Sequence, residues 1–226
     1  MPLTHEYLAL GLYTVTLSVS DDDTTTTILH SVNVTNDPRI DTDGNLLVPD
    51  SLDGSNEIII TDTNGGGQLV MRNDVGYGPF YPTTNVVRII TGDGPDRISI
   101  ASDRICADID AGGGDNYIAS GGCSDTIFTT FGKDILLSGG GNDIIDAGDG
   151  NNKVDGGTGD DQITAGSGRD ELLGREGNDI IFSGGGNDLV AGDVGDDVLH
   201  GGDGDDTISG GGDNDIVLGE AGNDRL

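Results

Sequence analysis

The chain has 226 residues, 41 of them Gly, and 41 Asp and Glu against 10 Lys and Arg leave a formal charge of −31. That charge disfavours nucleic acid and anionic membrane surfaces, which are bound through Lys and Arg, and no apolar run is long enough for a spanning helix. Apolar residues at 33%, aromatics at 4% and no Trp argue against a large core of interlocking side chains and for a repetitive or disordered architecture.

In chain order, the opening Met1-Pro2-Leu3-Thr4-His5-Glu6 has neither the positive nor the apolar region of a signal peptide. Residues 13–19 (Tyr-Thr-Val-Thr-Leu-Ser-Val) alternate in polarity, Asp21-Asp-Asp-Thr24 is a polar turn, and apolar character returns from Ile28 to Val34. This predicts a β-hairpin. Through His5-x-Tyr7, Gly11-x-Tyr13-Thr-Val-Thr-Leu17 and the hairpin after it, the stretch resembles the last strands of a PKD domain, an Ig-like β-sandwich of extracellular proteins. The earlier strands of that domain, with their characteristic Trp, are not seen, so the expectation is a hairpin remnant over 1–37 in a chain that begins inside a larger protein.

Residues 38–110 read as an irregular β-rich lead-in. Glu57-Ile-Ile-Ile60, Gln68-Leu-Val-Met71 and Val86-Val-Arg-Ile-Ile90 are short strand patterns between Gly, Asn and Pro turns. They are expected to cap the open edge of the repeats downstream. Asp41-Thr-Asp-Gly44 is part of a calcium-loop pattern, but an EF-hand needs an acid where Arg39 stands, which leaves a linker turn as the simpler reading. Cys106 and Cys123 fit either a disulfide or two separate small side chains. His5, His30 and His200 are scattered without ligand or triad spacing, and no catalytic motif is found.

From Ala111 to Leu226 a nine-residue block repeats thirteen times without an insertion. Its eighth position is aliphatic throughout: Ile118, Ile127, Leu136, Ile145, Val154, Ile163, Leu172, Ile181, Val190, Leu199, Ile208, Val217 and Leu226. Its sixth is Asp in eleven blocks and Asn in two, and its fourth is Gly in eleven, the exceptions being Cys123 and Asp213. Thr91-Gly-Asp-Gly-Pro-Asp96-Arg-Ile98 is one more block, displaced by two residues, so a wider turn is expected between Ile100 and Ala111.

Blocks such as Gly139-Gly-Gly-Asn-Asp143-Ile-Ile145 follow the pattern G-G-x-G-x-D-x-U-x. The tract 111–226 resembles the RTX, or hemolysin-type, calcium-binding family. That resemblance implies an all-β fold, a right-handed parallel β-roll or β-helix solenoid in which two blocks make one coil and residues 18 apart stack. The residue types agree with it. Glycines at positions 1, 2 and 4 permit the positive φ of tight turns and let backbone oxygens converge on an ion. Position 6 supplies a hard anionic oxygen, and position 8 points inward from a short strand.

Two ladders of carboxylates are implied. One edge is expected to stack Asp125, Asp143, Asp161, Asp179, Asp197 and Asp215; the other, Asn116, Asp134, Asn152, Asp170, Asp188, Asp206 and Asp224. Neighbouring carboxylates at a strand spacing repel by about 3 kcal/mol at an effective dielectric near 20, and a divalent cation between coils reverses that sign. Sites touching Asn116 or Asn152 are expected to be weak or empty. An alternative is that these Asp only form turns and confer solubility.

The reading is a non-catalytic module that binds several Ca2+ ions and folds on them after export, in a secreted or cell-surface bacterial protein. The alternatives are an accessory β-roll of a secreted protease or lipase whose catalytic domain lies outside these residues, and an adhesin segment. Adhesion is disfavoured by outward residues Tyr117, Ile135, Lys153, Glu171, Leu189 and Thr207, which repeat neither Thr nor Asn. Ile180, Phe182, Val198, Ile216 and Leu218 fall in two outward columns and suggest a contact for a protein partner or a second copy, although exposed strands also carry aliphatics at random.

Overall fold

A nine-residue block carrying one inward aliphatic residue cannot close a core alone, so it must stack on copies of itself. The computed structural model shows that stack and describes residues 11–20, 25–34, 38–40, 43, 45–49, 56–62, 68–72, 75–80 and 84–226. No helix occurs among them. The chain divides into two units, Met1–Asp37 and Pro38–Leu226. In the first, Gly11–Ser20 pairs antiparallel with Thr25–Val34, from Gly11 opposite Val34 to Ser20 opposite Thr25. His5 and the 21–24 turn lie outside the described residues, as does most of the 41–44 segment.

The second unit is a solenoid with two ten-stranded sheets. The first sheet runs from Arg39–Ile40 and Leu46–Val48 through Val86–Ile90, Cys106–Asp110, Thr126–Phe128, Ile144–Asp146, Gln162–Thr164, Ile180–Phe182 and Val198–Asp203 to Ile216–Ala221. The second runs from the antiparallel strands Val75–Phe80, Gln68–Arg72 and Glu57–Asp62 through Arg97–Ala101, Tyr117–Ala119, Ile135–Gly140, Lys153–Thr158, Glu171–Glu176 and Leu189–Val194 to Thr207–Gly212. From Glu57–Asp62 and Leu46–Val48 onward all neighbours in each sheet are parallel. From Val86–Ile90 onward successive strands alternate between sheets, so each block is one turn and one strand.

The register sets a sequence step of 18 per coil: Tyr117 faces Ile135, Lys153 faces Glu171 and Ile180 faces Val198. Earlier the step is 20, with Val86 opposite Cys106 and Arg97 opposite Tyr117. The added length falls between Ile98 and Ile109, in the turn before Cys106, where Ile105 fills the extra space and is buried. The sequence places the wider turn at the same point.

Burial follows the period. Position 8 is essentially sealed from Ile118 to Ile208, while Val217 is only partly buried and Leu226 is 69% exposed, on the last coil. Position 1 of the next block, one strand alternation beyond position 8, also faces inward as Ala111, Ser120, Thr129, Ser138, Ala147, Ala165 or Ser183. Cys106 and Cys123 are joined by a disulfide, with Cα atoms 4.9 Å apart, across the junction between the two coil lengths.

Candidate metal centre

The turn occupies positions 1 to 6. Positive φ is found at positions 2 and 4, as at Gly157 (105°) and Gly159 (120°), but at none of the position 1 glycines. This corrects the expectation for position 1. At Gly156, Gly174, Gly192, Gly201, Gly210 and Gly219 the backbone lies so close that a Cβ would overlap the carboxylate of the Asp at position 6 of the same turn, whereas Ser120, Thr129, Ser138, Ala165 and Ser183 carry a Cβ at that position beside an Asp. The position 4 carbonyls point along the solenoid, so a Cβ on Gly150 or Gly168 would collide with the same carbonyl one coil back.

Position 6 side chains turn inward. Asn116, Asp125, Asp134, Asp143, Asn152, Asp161, Asp170, Asp179, Asp188, Asp197 and Asp206 are all buried, and Asp215 and Asp224, on the terminal coil, are half-buried. Each stacks on its partner one coil away, but not as a bare carboxylate. One oxygen, Oδ1, accepts the backbone N–H of the residue in the same column one coil earlier, at 2.7–3.1 Å. The pairs run Asn116 to Asp134, Asp134 to Asn152, Asn152 to Asp170, Asp170 to Asp188, Asp188 to Asp206 and Asp206 to Asp224 on one edge. On the other they run Ala107 to Asp125, Asp125 to Asp143, Asp143 to Asp161, Asp161 to Asp179, Asp179 to Asp197 and Asp197 to Asp215.

The second oxygen is the chemically active one. Oδ2 of Asp125, Asp134, Asp143, Asp161, Asp170, Asp179, Asp188, Asp197 and Asp206 is buried with no hydrogen-bond donor. Of the hydroxyls nearby, Ser138 donates to the Gly156 carbonyl and Ser183 to the Gly201 carbonyl, both at 2.6 Å. Burial pushes Asp125 and Asp161 up to about 7 and Asp170 and Asp179 up to about 6, against the opposing pull of the backbone N–H and, at Asp125, first of the Ser120 hydroxyl. Asp134, Asp143, Asp188 and Asp197 are raised for the same first reason.

What Oδ2 faces is shown by the Asn blocks. The Asn152 amide donates to the carbonyls of Ala147 (3.0 Å) and Gly148 (3.2 Å), the first two residues of its own turn, and the Asn116 amide donates to Ala111 (3.5 Å). An Asp in that place sets a carboxylate oxygen where Asn puts an NH2, toward carbonyl oxygens of its own turn that already accept from the next coil, as Gly166 does from the Gly185 N–H, or from a hydroxyl, as Gly156 does from Ser138. Oxygen facing oxygen in a buried turn is unstable unless a cation or a proton lies between them. Among the described residues no three carboxylate, imidazole or thiol side chains converge, so a cation here would have to draw on backbone carbonyls as well as on one Asp per turn. Hard oxygen ligands of this kind suit Ca2+.

A second ladder was not visible in the spacing. At position 5 the side-chain oxygens of Asp115, Asn142, Asn151, Asp160, Asn178, Asn187, Asp196 and Asp205 accept the N–H of the position 5 residue one coil later, at 2.7–3.1 Å. The two ladders run in opposite directions and tie each turn to both neighbours. Adjacent acids are thus driven apart: the Asn214 N–H holds exposed Asp196 below the usual carboxylate range, while burial raises Asp197. The recurring Asp, Asn or Ser at position 5 was the available signal.

Outside the turns, Ile180, Phe182, Ile216 and Leu218 are 37–57% exposed, Val198 is half-buried, and Phe182 stacks on His200 at 4.6 Å.

Comparison with protein families finds the RTX calcium-binding nonapeptide repeat in four copies, over 108–136, 128–163, 155–190 and 191–226. No curated protein and no solved structure matches the chain. The matched repeats span more than half of its length, and the chain belongs to the RTX calcium-binding nonapeptide repeat family.

Proposed function

We propose that this RTX-repeat chain is a calcium-binding structural module of a secreted or cell-surface bacterial protein, without catalytic residues of its own, that takes up several Ca2+ ions and folds on them after export. The observation that carries the reading is the buried, donor-less Oδ2 at nine of the turns, set where Asn152 places an amide against the carbonyls of Ala147 and Gly148. Asp125, Asp134, Asp143, Asp161, Asp170, Asp179, Asp188, Asp197 and Asp206 would hold the ions together with carbonyls of their turns, and Asp215 and Asp224 complete the ladders at the last coil. Asn116 and Asn152 leave their own turns closed and keep only an oxygen toward the neighbouring coil.

Bound calcium supplies two positive charges to a buried ring of oxygens. The chain supplies geometry, because the N–H ladder fixes each Oδ1 and leaves Oδ2 facing inward. Such a site exists only when the coils are stacked, so binding free energy becomes folding free energy. Low calcium inside a cell leaves the chain extended for passage, and millimolar calcium outside suits extracellular modules of modest affinity. The disulfide is consistent with an oxidising destination.

A β-roll attached to a secreted hydrolase is the alternative, since such a module would look the same. Isothermal titration of the chelated protein with CaCl2, followed in parallel by circular dichroism, tests the reading. Heat of binding accompanied by a gain of β signal supports it; strand content identical in EGTA and in millimolar calcium overturns it.

A further inference from the structure

We propose that the solenoid forms in order, from an apolar stem at its N-terminal end toward the acidic coils at its C-terminal end, with calcium demand rising along that direction. This order rests on the calcium reading above and adds to it a location and a sequence of events.

The stem differs in what it buries. Strands Leu46–Val48, Glu57–Asp62, Val86–Ile90, Arg97–Ala101 and Cys106–Asp110 each seal two apolar side chains: Leu46 and Val48, Ile58 and Ile60, Val87 and Ile89, Ile98 and Ile100, Ala107 and Ile109. A strand in the repeats seals one large aliphatic and sets an Asp or Asn beside it, a place that the stem fills with Asn56 and Asp96 on one edge and with Val87 and Ala107 on the other. The Cys106–Cys123 disulfide then locks the last stem strand to the turn before Thr126–Phe128, enclosing the Asn116 turn. Stem strands thereby offer a preformed parallel edge on which the next coil can pair.

The middle coils carry their own cations. Residues 88–175 hold seven Lys and Arg, and residues 176–226 hold one, Arg225, against thirteen Asp and Glu. Lys153 is paired with Glu171 in the adjacent strand, and the Arg175 guanidinium reaches Asp155 (2.7 Å) and Asp193 (3.6 Å) on either side, spanning three coils. Lys133, Lys153 and Arg169, three cations against the two acids Asp170 and Glu171, line one cavity of about 370 Å³ beside Asn152, the turn that its own amide already closes. Positive charge and an amide plug at the same turn leave little need for a divalent ion there.

The late coils have neither device. Past residue 176 every position 6 residue is Asp, and all four non-glycine residues with left-handed φ among the described residues, namely Arg175 (89°), Asp193 (76°), Asp213 (76°) and Glu220 (69°), fall between 175 and 220. Such residues hold that conformation only when their surroundings impose it, which gives these coils a further dependence on an already ordered neighbour.

Hydrogen exchange by mass spectrometry on the full oxidised chain, across a CaCl2 series starting in EGTA, tests the order. Peptides from 97–119 should be protected in EGTA, peptides from 135–172 next, and peptides from 189–217 only at calcium levels higher by about threefold or more. Asn152→Asp should remove protection from 135–172 in EGTA while leaving 97–119 unchanged. Ile98→Ala should raise the calcium midpoint of 189–217, whereas Val217→Ala should leave the stem as it was. One common midpoint for all peptides, or earlier protection of 189–217, overturns the ordering with calcium binding intact, and so does an Asn152→Asp chain exchanging like wild type. Exchange that ignores calcium at every peptide overturns the calcium reading as well.

Discussion

The stem and the repeats share one backbone path but fill it with different interiors. Ile89 and Ile109 are stacked aliphatics in the same column as Ile127, Ile145 and Ile163, so the column crosses the junction unbroken. Beside it the stem places Val87 and Ala107, whereas the repeats place Asp125, Asp143 and Asp161. A buried methyl group lowers the free energy of the coil in any solvent condition. A buried carboxylate does so only when something positive accepts its oxygen. In this fold, therefore, spacing sets the solenoid geometry, while one inward column sets the condition under which that geometry is stable.

The largest expected effect comes from removing calcium. In EGTA, far-ultraviolet circular dichroism should lose most of the strand signal of the repeats and keep that of the stem. Magnesium should restore little, because it demands tighter octahedral geometry and sheds water reluctantly. A complete return of signal with magnesium alone would erase the distinction between the two interiors.

Next in size is a matched pair of substitutions. Ile89→Ala should cost about 2–5 kcal/mol by cavity formation, with or without calcium. Asp179→Ala should act mainly through calcium, raising the titration midpoint and reducing its steepness, since it removes the proposed ligand oxygen of one turn and the acceptor of the Asp161 N–H. Thermal denaturation of both variants in EGTA and in CaCl2 separates the two behaviours.

A smaller effect is expected from pH. The folded-state values of Asp125 and Asp161 are raised to about 7, and those of Asp170 and Asp179 to about 6, from 3.8. For groups raised on folding, the stabilising contribution is complete below the unfolded value and is lost as pH rises through the folded one. Without calcium the repeats should therefore gain strand content as pH falls from about 8 to about 5, while stem signal stays level. With calcium, protons compete for the same oxygens, so the midpoint should rise on acidification. Strand content in EGTA that falls over this range would contradict the burial assigned to these carboxyls.

The smallest effect concerns the outward face. Changing Phe182 and Val198 together to Ser should leave calcium binding unaltered, since both point away from the turns. Light scattering in CaCl2 should show lower mass than for wild type if this face joins two copies. A monomeric wild type at high concentration removes that contact.

Much of this was legible from the amino acids. A period of nine with an invariant aliphatic at position 8 marked the repeat, and the resemblance to the RTX family implied the stacked strands that seal those side chains from Ile118 to Ile208. The displaced block at 91–98 marked the wider turn before Cys106, and the alternation at 13–19 and 28–34 marked the hairpin. Position 1 glycines were legible only as glycines: an Asp carboxylate lies over them, which no count of residues places. The position 5 ladder was equally hidden, since Asn142 and Asp160 look like ordinary turn residues until the N–H of the next coil arrives at their oxygens. The disulfide stood open as well, because a sequence separation of 17 falls just short of a coil and the wider turn decides whether the sulfurs meet.

The order of residues alone dictated the coil, its inward column, its charge and its membership in a calcium-binding family, because these depend on which positions recur. Tertiary structure selected which oxygen of each Asp is already bonded, which is left facing the turn, and why Asn116 and Asn152 close their turns unaided. A stacked solenoid brings together groups a full coil apart in the chain, and the direction in which a carboxylate points is settled by the N–H and C=O groups of the coils above and below it.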